Sequence, residues 1–127
     1  MDFDWEQGEL AEGLRCYREH KFFEAHEEWE SVWLRAPEPE KTFLQGIIQI
    51  TAAFHHLQRK NPLGALRLLE GALRRLERYP ESFGGLPAAA LRDEIRERLE
   101  ALRRGASELE PVRIEPSTPG CSRTHLA

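Results

Sequence analysis

The chain has 127 residues, of which 40% are hydrophobic and 31% are charged, and its formal net charge is −4. This length suits one domain, and this composition is typical of a globular protein. No apolar run approaches the roughly 18 residues that a membrane span needs, and the acidic start MDFDWEQGEL does not resemble a signal peptide. We therefore expect a cytoplasmic protein that has no membrane partner.

The distribution of charge and the two cysteines narrow the function classes further. Basic side chains do not alternate with aromatic ones in a stripe, so a nucleic acid is not the expected partner. Cys16 and Cys121 lack the spacing of a metal or redox motif and are expected to be free thiols. Other partners stay open, and a homo-oligomer is compatible with the sequence.

The first two predicted helices follow from local capping and stop signals. Asp4 followed by Gln7 resembles a capping box, which predicts that the first helix opens there and runs to about Glu19. After a short corner a second helix continues until Pro37, because proline removes a backbone donor and clashes with the preceding turn. Apolar residues at helical spacing in both stretches predict that each helix buries one face.

Proline also marks the limits of the third and fourth predicted helices. Pro39 is well placed to begin a helix over about 40–60, which is apolar nearly all round through FLQGIIQITAAF. Such a helix is expected at the centre of a bundle. Asn61 and Pro62 combine an N-cap with a first-turn proline, and the fourth helix that they open ends before Pro80.

The remaining chain predicts a fifth helix and an irregular end. Pro87 begins the fifth helix, so the helical bundle domain is expected to span residues 1–105. Residues 106–127 are rich in proline and are expected to be irregular or disordered, with Val112 and Ile114 as the side chains that dock on the bundle. Because no strand pattern is present, the predicted fold is an all-α antiparallel bundle of four to five helices.

One stretch, FFEAHEEWESVW at residues 22–33, places polar groups inside an apolar helix face. His26 and Glu30 lie about 40° apart on the helical wheel, between two groups of apolar residues. The apolar residues on either side are Phe22, Phe23, Trp29, Trp33 and Leu34. A buried imidazole or carboxylate without a partner costs about 1 to 3 kcal/mol or more, so this pattern predicts a buried polar site.

The third helix contains a matching anomaly, because Gln45 and Gln49 interrupt its apolar run one turn apart. If the second and third helices form a hairpin, facing residues have numbers that sum to about 75. This register predicts hydrogen bonds of Gln49 with His26 and of Gln45 with Glu30, with all four side chains mostly buried. Gly46 would then let the aromatic side chains of the second helix approach closely.

These residues also carry a family resemblance. HEEWESVW contains the pattern His-x-x-x-Glu-x-x-Trp as His26, Glu30 and Trp33. Together with FFEAHE before it and FLQGIIQI after it, the pattern resembles the domain-of-unknown-function family 309 of bacterial and archaeal proteins, over about residues 8–78. The resemblance implies a small helical bundle and a suggested metal-binding role for His26 and Glu30, with no established activity.

Several interpretations of the site remain open at this stage. The four polar side chains could form a structural hydrogen-bond network within a helical protein-interaction module. They could instead hold a divalent metal such as Zn, Mn or Fe, with further ligands from Glu27, His56 or Glu19. A third reading is a metal-free acid/base or small-ligand pocket, walled by an aromatic side chain, in which Glu30 sets the tautomer of His26. Whether the protein is an enzyme stays open.

Overall fold

A computed structural model describes residues 2–117. The predictions made for Cys121 and for the rest of the chain end lie outside these residues. The helices are α1 (Gly8–Arg18), α2 (Phe22–Trp33), α3 (Glu40–Gln58), α4 (Pro62–Leu76) and α5 (Ala88–Arg103). No strand forms in the described part apart from one isolated bridge pair, which confirms the all-α prediction. None of these helices combines the length and apolar character that crossing a bilayer requires.

The central helix is α3, which contacts α2 on one side and α4 on the other. Its apolar side chains fill the middle of the core, and those that are fully buried are Phe43, Leu44, Ile47, Ile50 and Ala53. The buried hydroxyl of Thr51 donates to the carbonyl of Ile47 at 3.1 Å, so this polar group is satisfied within the helix. The prediction of a central, buried third helix is confirmed.

A close approach between α1 and α2 fixes the position of the motif helix. Gly13 in α1 lies against the Trp29 indole, and a Cβ on Gly13 would lie only 2.2 Å from Trp29 Nε1. Trp29 is fully buried and donates its Nε1–H to the carbonyl of Leu10 at 3.1 Å. This contact fixes which face of α2 is turned towards α1.

The start of α4 agrees with the sequence prediction, whereas the start of α1 does not. As predicted, Asn61 caps α4, because its Oδ1 accepts from the backbone N–H of Gly64 at 3.1 Å. The predicted capping box at Asp4 and Gln7 is wrong, because α1 begins at Gly8 and Gln7 makes no side-chain cap bond. The Asp4 carboxylate accepts from the N–H of Glu6 at 3.0 Å and stabilises a turn before the helix instead.

Residues 106–117 contain no helix or strand, yet they pack on the bundle. Val112 and Ile114 are 0% and 1% exposed, which confirms that these two side chains dock. The buried hydroxyl of Tyr17 donates to the carbonyl of Val112 at 2.5 Å, and Arg98 donates to two backbone carbonyls of the same segment at 3.0 and 3.1 Å. This segment therefore closes the core over α1 and α5.

Candidate functional site

The motif residues lie along the line where α2 and α3 pack against each other in antiparallel directions. At one end, the Lys41 ammonium donates to the Trp33 carbonyl at 3.0 Å and lies 4.2 Å from the centroid of the Trp33 ring. At the other end, the rings of Phe23 and His55 have centroids 5.6 Å apart. We define the α2–α3 groove by the six residues Phe23, His26, Glu30, Trp33, Lys41 and His55.

Two polar atoms of the motif are buried in this groove without a partner. In the described part of the chain, the unsatisfied buried side-chain atoms are His26 Nδ1 and Trp33 Nε1. The His26 ring is half-buried and stacks near Phe23, with centroids 6.2 Å apart. Each unsatisfied atom costs about 1 to 3 kcal/mol, and the indole N–H can only donate. Both atoms are therefore an energetic cost that the fold tolerates at the motif.

Glu30 does not occupy the buried position that the sequence predicts. Its side chain is exposed, and it forms no hydrogen bond or ion pair with any described residue. Its place on the helical wheel, about 40° from His26, turns it from the core towards solvent. The prediction of a buried carboxylate is therefore wrong, and Glu30 is an exposed charge at the edge of the groove.

The predicted network between the glutamines and the motif is also wrong. Gln49 Oε1 accepts from Arg75 Nη1 at 3.2 Å, so this side chain bonds to α4 and not to the motif histidine. The Gln49 amide nitrogen lies beside Gly71, 2.8 Å from where a Cβ would stand. Gln45 is half-buried and forms no hydrogen bond with Glu30. Because of the rotation of α3 about its axis, the glutamines of α3 do not meet the polar motif residues of α2.

The further metal ligands considered from sequence do not join His26 and Glu30. His56 Nδ1 lies 2.8 Å from the amide of the asparagine that caps α4. Glu27 is exposed, and Glu19 is paired with basic residues at the end of α1. Across residues 2–117, no group of three or more His, Cys, Asp or Glu side chains could hold a metal ion.

The charge around the groove is predominantly negative. α2 has no lysine or arginine, and its four glutamates, none of which forms an ion pair in residues 2–117, are Glu24, Glu27, Glu28 and Glu30. Burial lowers the pKa of His55 below its ordinary value, and the positive charge of Arg59 lowers it further. His55 is therefore uncharged near neutral pH and does not offset these carboxylates.

Two residues of the groove were missed by sequence reasoning. Lys41 was not considered, although the hairpin register places it level with Leu34 and hence close to Trp33. Nothing in the local pattern distinguishes His55 from other helix residues. Both contacts depend on side chains from two helices.

The α2–α3 hairpin lies within a stretch of the chain that matches a known family. The family model described as domain of unknown function (DUF309) matches residues 10–68. Residues 10–68 are therefore similar to this family. The matched span includes the whole α2–α3 hairpin and confirms the resemblance seen in the sequence. No curated protein gave a significant match. Within the structure, α5 lies outside the matched part of the chain and completes the core on α4.

The unsatisfied indole N–H predicts that Trp33→Phe is well tolerated. Phenylalanine keeps an aromatic face for Lys41 and removes the unpaired donor, so we expect the free energy of unfolding to change by less than about 1 kcal/mol or to rise. Trp29→Phe is the matched control, because it leaves the buried Leu10 carbonyl without its donor and should cost about 1 to 3 kcal/mol. Denaturant unfolding measures both values. Equal losses would contradict an unsatisfied Trp33.

Proposed function

We propose that this protein is a protein-interaction module in which the exposed edge of α2, beside the α2–α3 groove, binds a basic amphipathic helix of another protein. His26, Glu30 and Trp33 are the motif residues of this site. The observation that carries the proposal is an exposed stripe on α2 and its C-cap, in which two acidic residues lie between two large apolar ones. The stripe consists of Phe23, Glu27, Glu30 and Leu34.

The apolar ends of the stripe are unusually accessible. Phe23 is 50% exposed and Leu34 is 68% exposed, whereas the other large apolar side chains of α2 are buried or half-buried. Burial of apolar surface stabilises a complex by about 25 cal/mol per Å². Two such residues on one helix edge are therefore effective anchors for a partner with matching apolar side chains.

The acidic centre of the stripe indicates the charge of the partner. Glu27 and Glu30 have no ion pair among the described residues and follow each other at helical spacing. A partner with lysine or arginine at the corresponding positions would gain charge complementarity and faster association. An acidic partner would be repelled, which makes the surface selective.

The length of the stripe favours a helix as the bound element. Phe23 and Leu34 are eleven positions apart, which corresponds to ~16 Å along a helix. This is about three helical turns, the usual scale of a helix bound in a groove.

The test uses a synthetic helix of about 16 residues in which leucines are spaced like Phe23 and Leu34 and lysines lie between them. Binding to the full chain is measured by fluorescence anisotropy of the labelled peptide. We expect a Kd on the order of 10 µM at low salt, weakened by added salt because the carboxylates are exposed. The combined variant Glu27→Gln and Glu30→Gln should weaken binding about tenfold.

The matched control removes the same charge elsewhere on the surface. Glu6 and Glu81 are exposed and form no ion pair among residues 2–117, so Glu6→Gln with Glu81→Gln should leave the affinity within about twofold. Equal effects of the two double variants would refute recognition by the stripe. Equal binding of a peptide with glutamate in place of lysine would also refute it.

A further inference from the structure

A cavity of about 490 Å³ lies where the α1–α2 corner, the α3–α4 corner and residues 107–111 meet. The floor of the cavity is apolar and includes the buried side chains Phe22, Phe54 and Leu57. The rings of Phe22 and Phe54 have centroids 6.0 Å apart. Cavities of roughly 300 to 1,000 Å³ with an apolar floor and a few polar groups are typical of small-molecule sites.

Two residues at the mouth of this cavity adopt a backbone conformation that favours glycine. His20 has φ 63° and Lys60 has φ 61°, and they are the non-glycine residues with positive φ in the described chain. Each follows a helix end in a Schellman motif, with backbone bonds of 3.0 and 2.8 Å. A side chain in this conformation costs roughly 1 to 2 kcal/mol.

The end of α5 provides a comparison within the same molecule. The same pair of backbone bonds closes α5, and the residue with positive φ there is Gly105. Gly105 has no atom within 4 Å of where a Cβ would stand, whereas His20 and Lys60 both line the cavity. Strained residues that persist are commonly found at functional sites, so this difference points to a use for the two side chains at the cavity.

The charges at the mouth indicate the chemistry of a ligand. Lys60 and His20 supply nitrogen donors from the helix corners, while Glu108 and Glu110 supply carboxylates from the C-terminal segment. Lys60, Glu108 and Glu110 form no side-chain ion pair among the described residues. Donors and carboxylates therefore border an apolar floor without neutralising each other through direct contacts.

We propose that this cavity binds a small zwitterion with a bulky apolar group, which is the chemistry of a free α-amino acid such as phenylalanine. The apolar group packs on the half-buried lining side chains Pro62, Leu109 and Pro111. The carboxylate of the ligand faces Lys60 and His20, and its ammonium group faces the carboxylates of the C-terminal segment. This site is separate from the α2–α3 groove and does not depend on the function proposed for the edge of α2 beside that groove.

The ligand chemistry is tested by calorimetry with the full chain. The probes are L-phenylalanine, L-leucine and L-tryptophan, and the controls are 3-phenylpropanoate, which lacks the amine, and 2-phenylethylamine, which lacks the carboxylate. We expect at least one amino acid to bind, and each truncated analogue of phenylalanine to bind about tenfold more weakly than phenylalanine. No binding of any amino acid, or equal affinity of phenylalanine and its analogues, would overturn the proposal.

Glycine substitutions separate a ligand role from a structural one. His20→Gly and Lys60→Gly relieve the backbone strain, so each should raise the Tm by about 2 to 5 °C while weakening amino-acid binding about tenfold. Gly105→Ala should lower the Tm and leave binding unchanged, because Gly105 does not line the cavity. Retained affinity in both glycine variants, or a lower Tm in both, would overturn the proposal.

Discussion

Gly13→Ala is expected to lower the free energy of unfolding by about 3 kcal/mol or more, at the upper end of overpacking effects. The new Cβ would lie 2.2 Å from Nε1 and 2.5 Å from Cδ1 of Trp29. The indole is fully buried and bonded to the Leu10 carbonyl, so it cannot turn away freely. Relief therefore requires α1 and α2 to separate. Denaturant unfolding measures the loss.

Two further variants show whether this contact is the cause. At Gly71 the nearest atom to a Cβ is the end of the Gln49 side chain at 2.8 Å, which can move, so Gly71→Ala should cost less than about 1 kcal/mol. Adding Trp29→Phe to Gly13→Ala should recover part of the loss, because phenylalanine lacks the Nε1 atom of the clash. Strictly additive losses, or equal losses at Gly13 and Gly71, would contradict the close approach.

The combined variant Val112→Ala and Ile114→Ala is expected to lower the free energy of unfolding by about 3 to 5 kcal/mol. Both side chains are fully buried, although the segment that carries them has no regular secondary structure. Their loss leaves a cavity beside Tyr17, whose hydroxyl holds the Val112 carbonyl. Thermal and denaturant unfolding of the full chain measure the effect.

The alternate residues of the same segment provide the control. Arg113 and Glu115 point outward and form exposed ion pairs with Glu94 and Arg18, which contribute at most about 1 kcal/mol each. Arg113→Ala with Glu115→Ala should therefore change stability much less than the apolar pair does. A similar loss from both pairs would mean that burial of the segment is not what stabilises the bundle.

The sequence alone determined the helical class, most helix limits and the register of the α2–α3 hairpin. Lys41 contacts Trp33 and His55 contacts Phe23, so the facing residues lie within one helical turn of the prediction. These features follow from local signals, because proline, N-caps and apolar spacing act within a few residues. The buried polar atom of His26 was also indicated by its place in an apolar face.

Rotation of α3 about its own axis was decided only by the tertiary structure. Gln49 bonds to Arg75, and a Cβ on Gly46 would lie 3.2 Å from atoms of Leu76, so both residues face α4 instead of the aromatic residues of α2. A helix that is apolar nearly all round has no single apolar face to orient it. Packing against both neighbouring helices sets its rotation, and with it the partners of its polar residues.

The tertiary structure also decided how the cavity at the helix corners is assembled. His20, Lys60 and Glu108 are far apart in sequence and reach one cavity through two helix corners and the C-terminal segment. Their local sequence predicts turns but gives no sign that these turns meet. The sequence by itself determined which stretches become helices and which of their faces are buried. The tertiary structure decided which neighbour each polar side chain meets, because helical periodicity encodes burial and not the identity of the contacting residue.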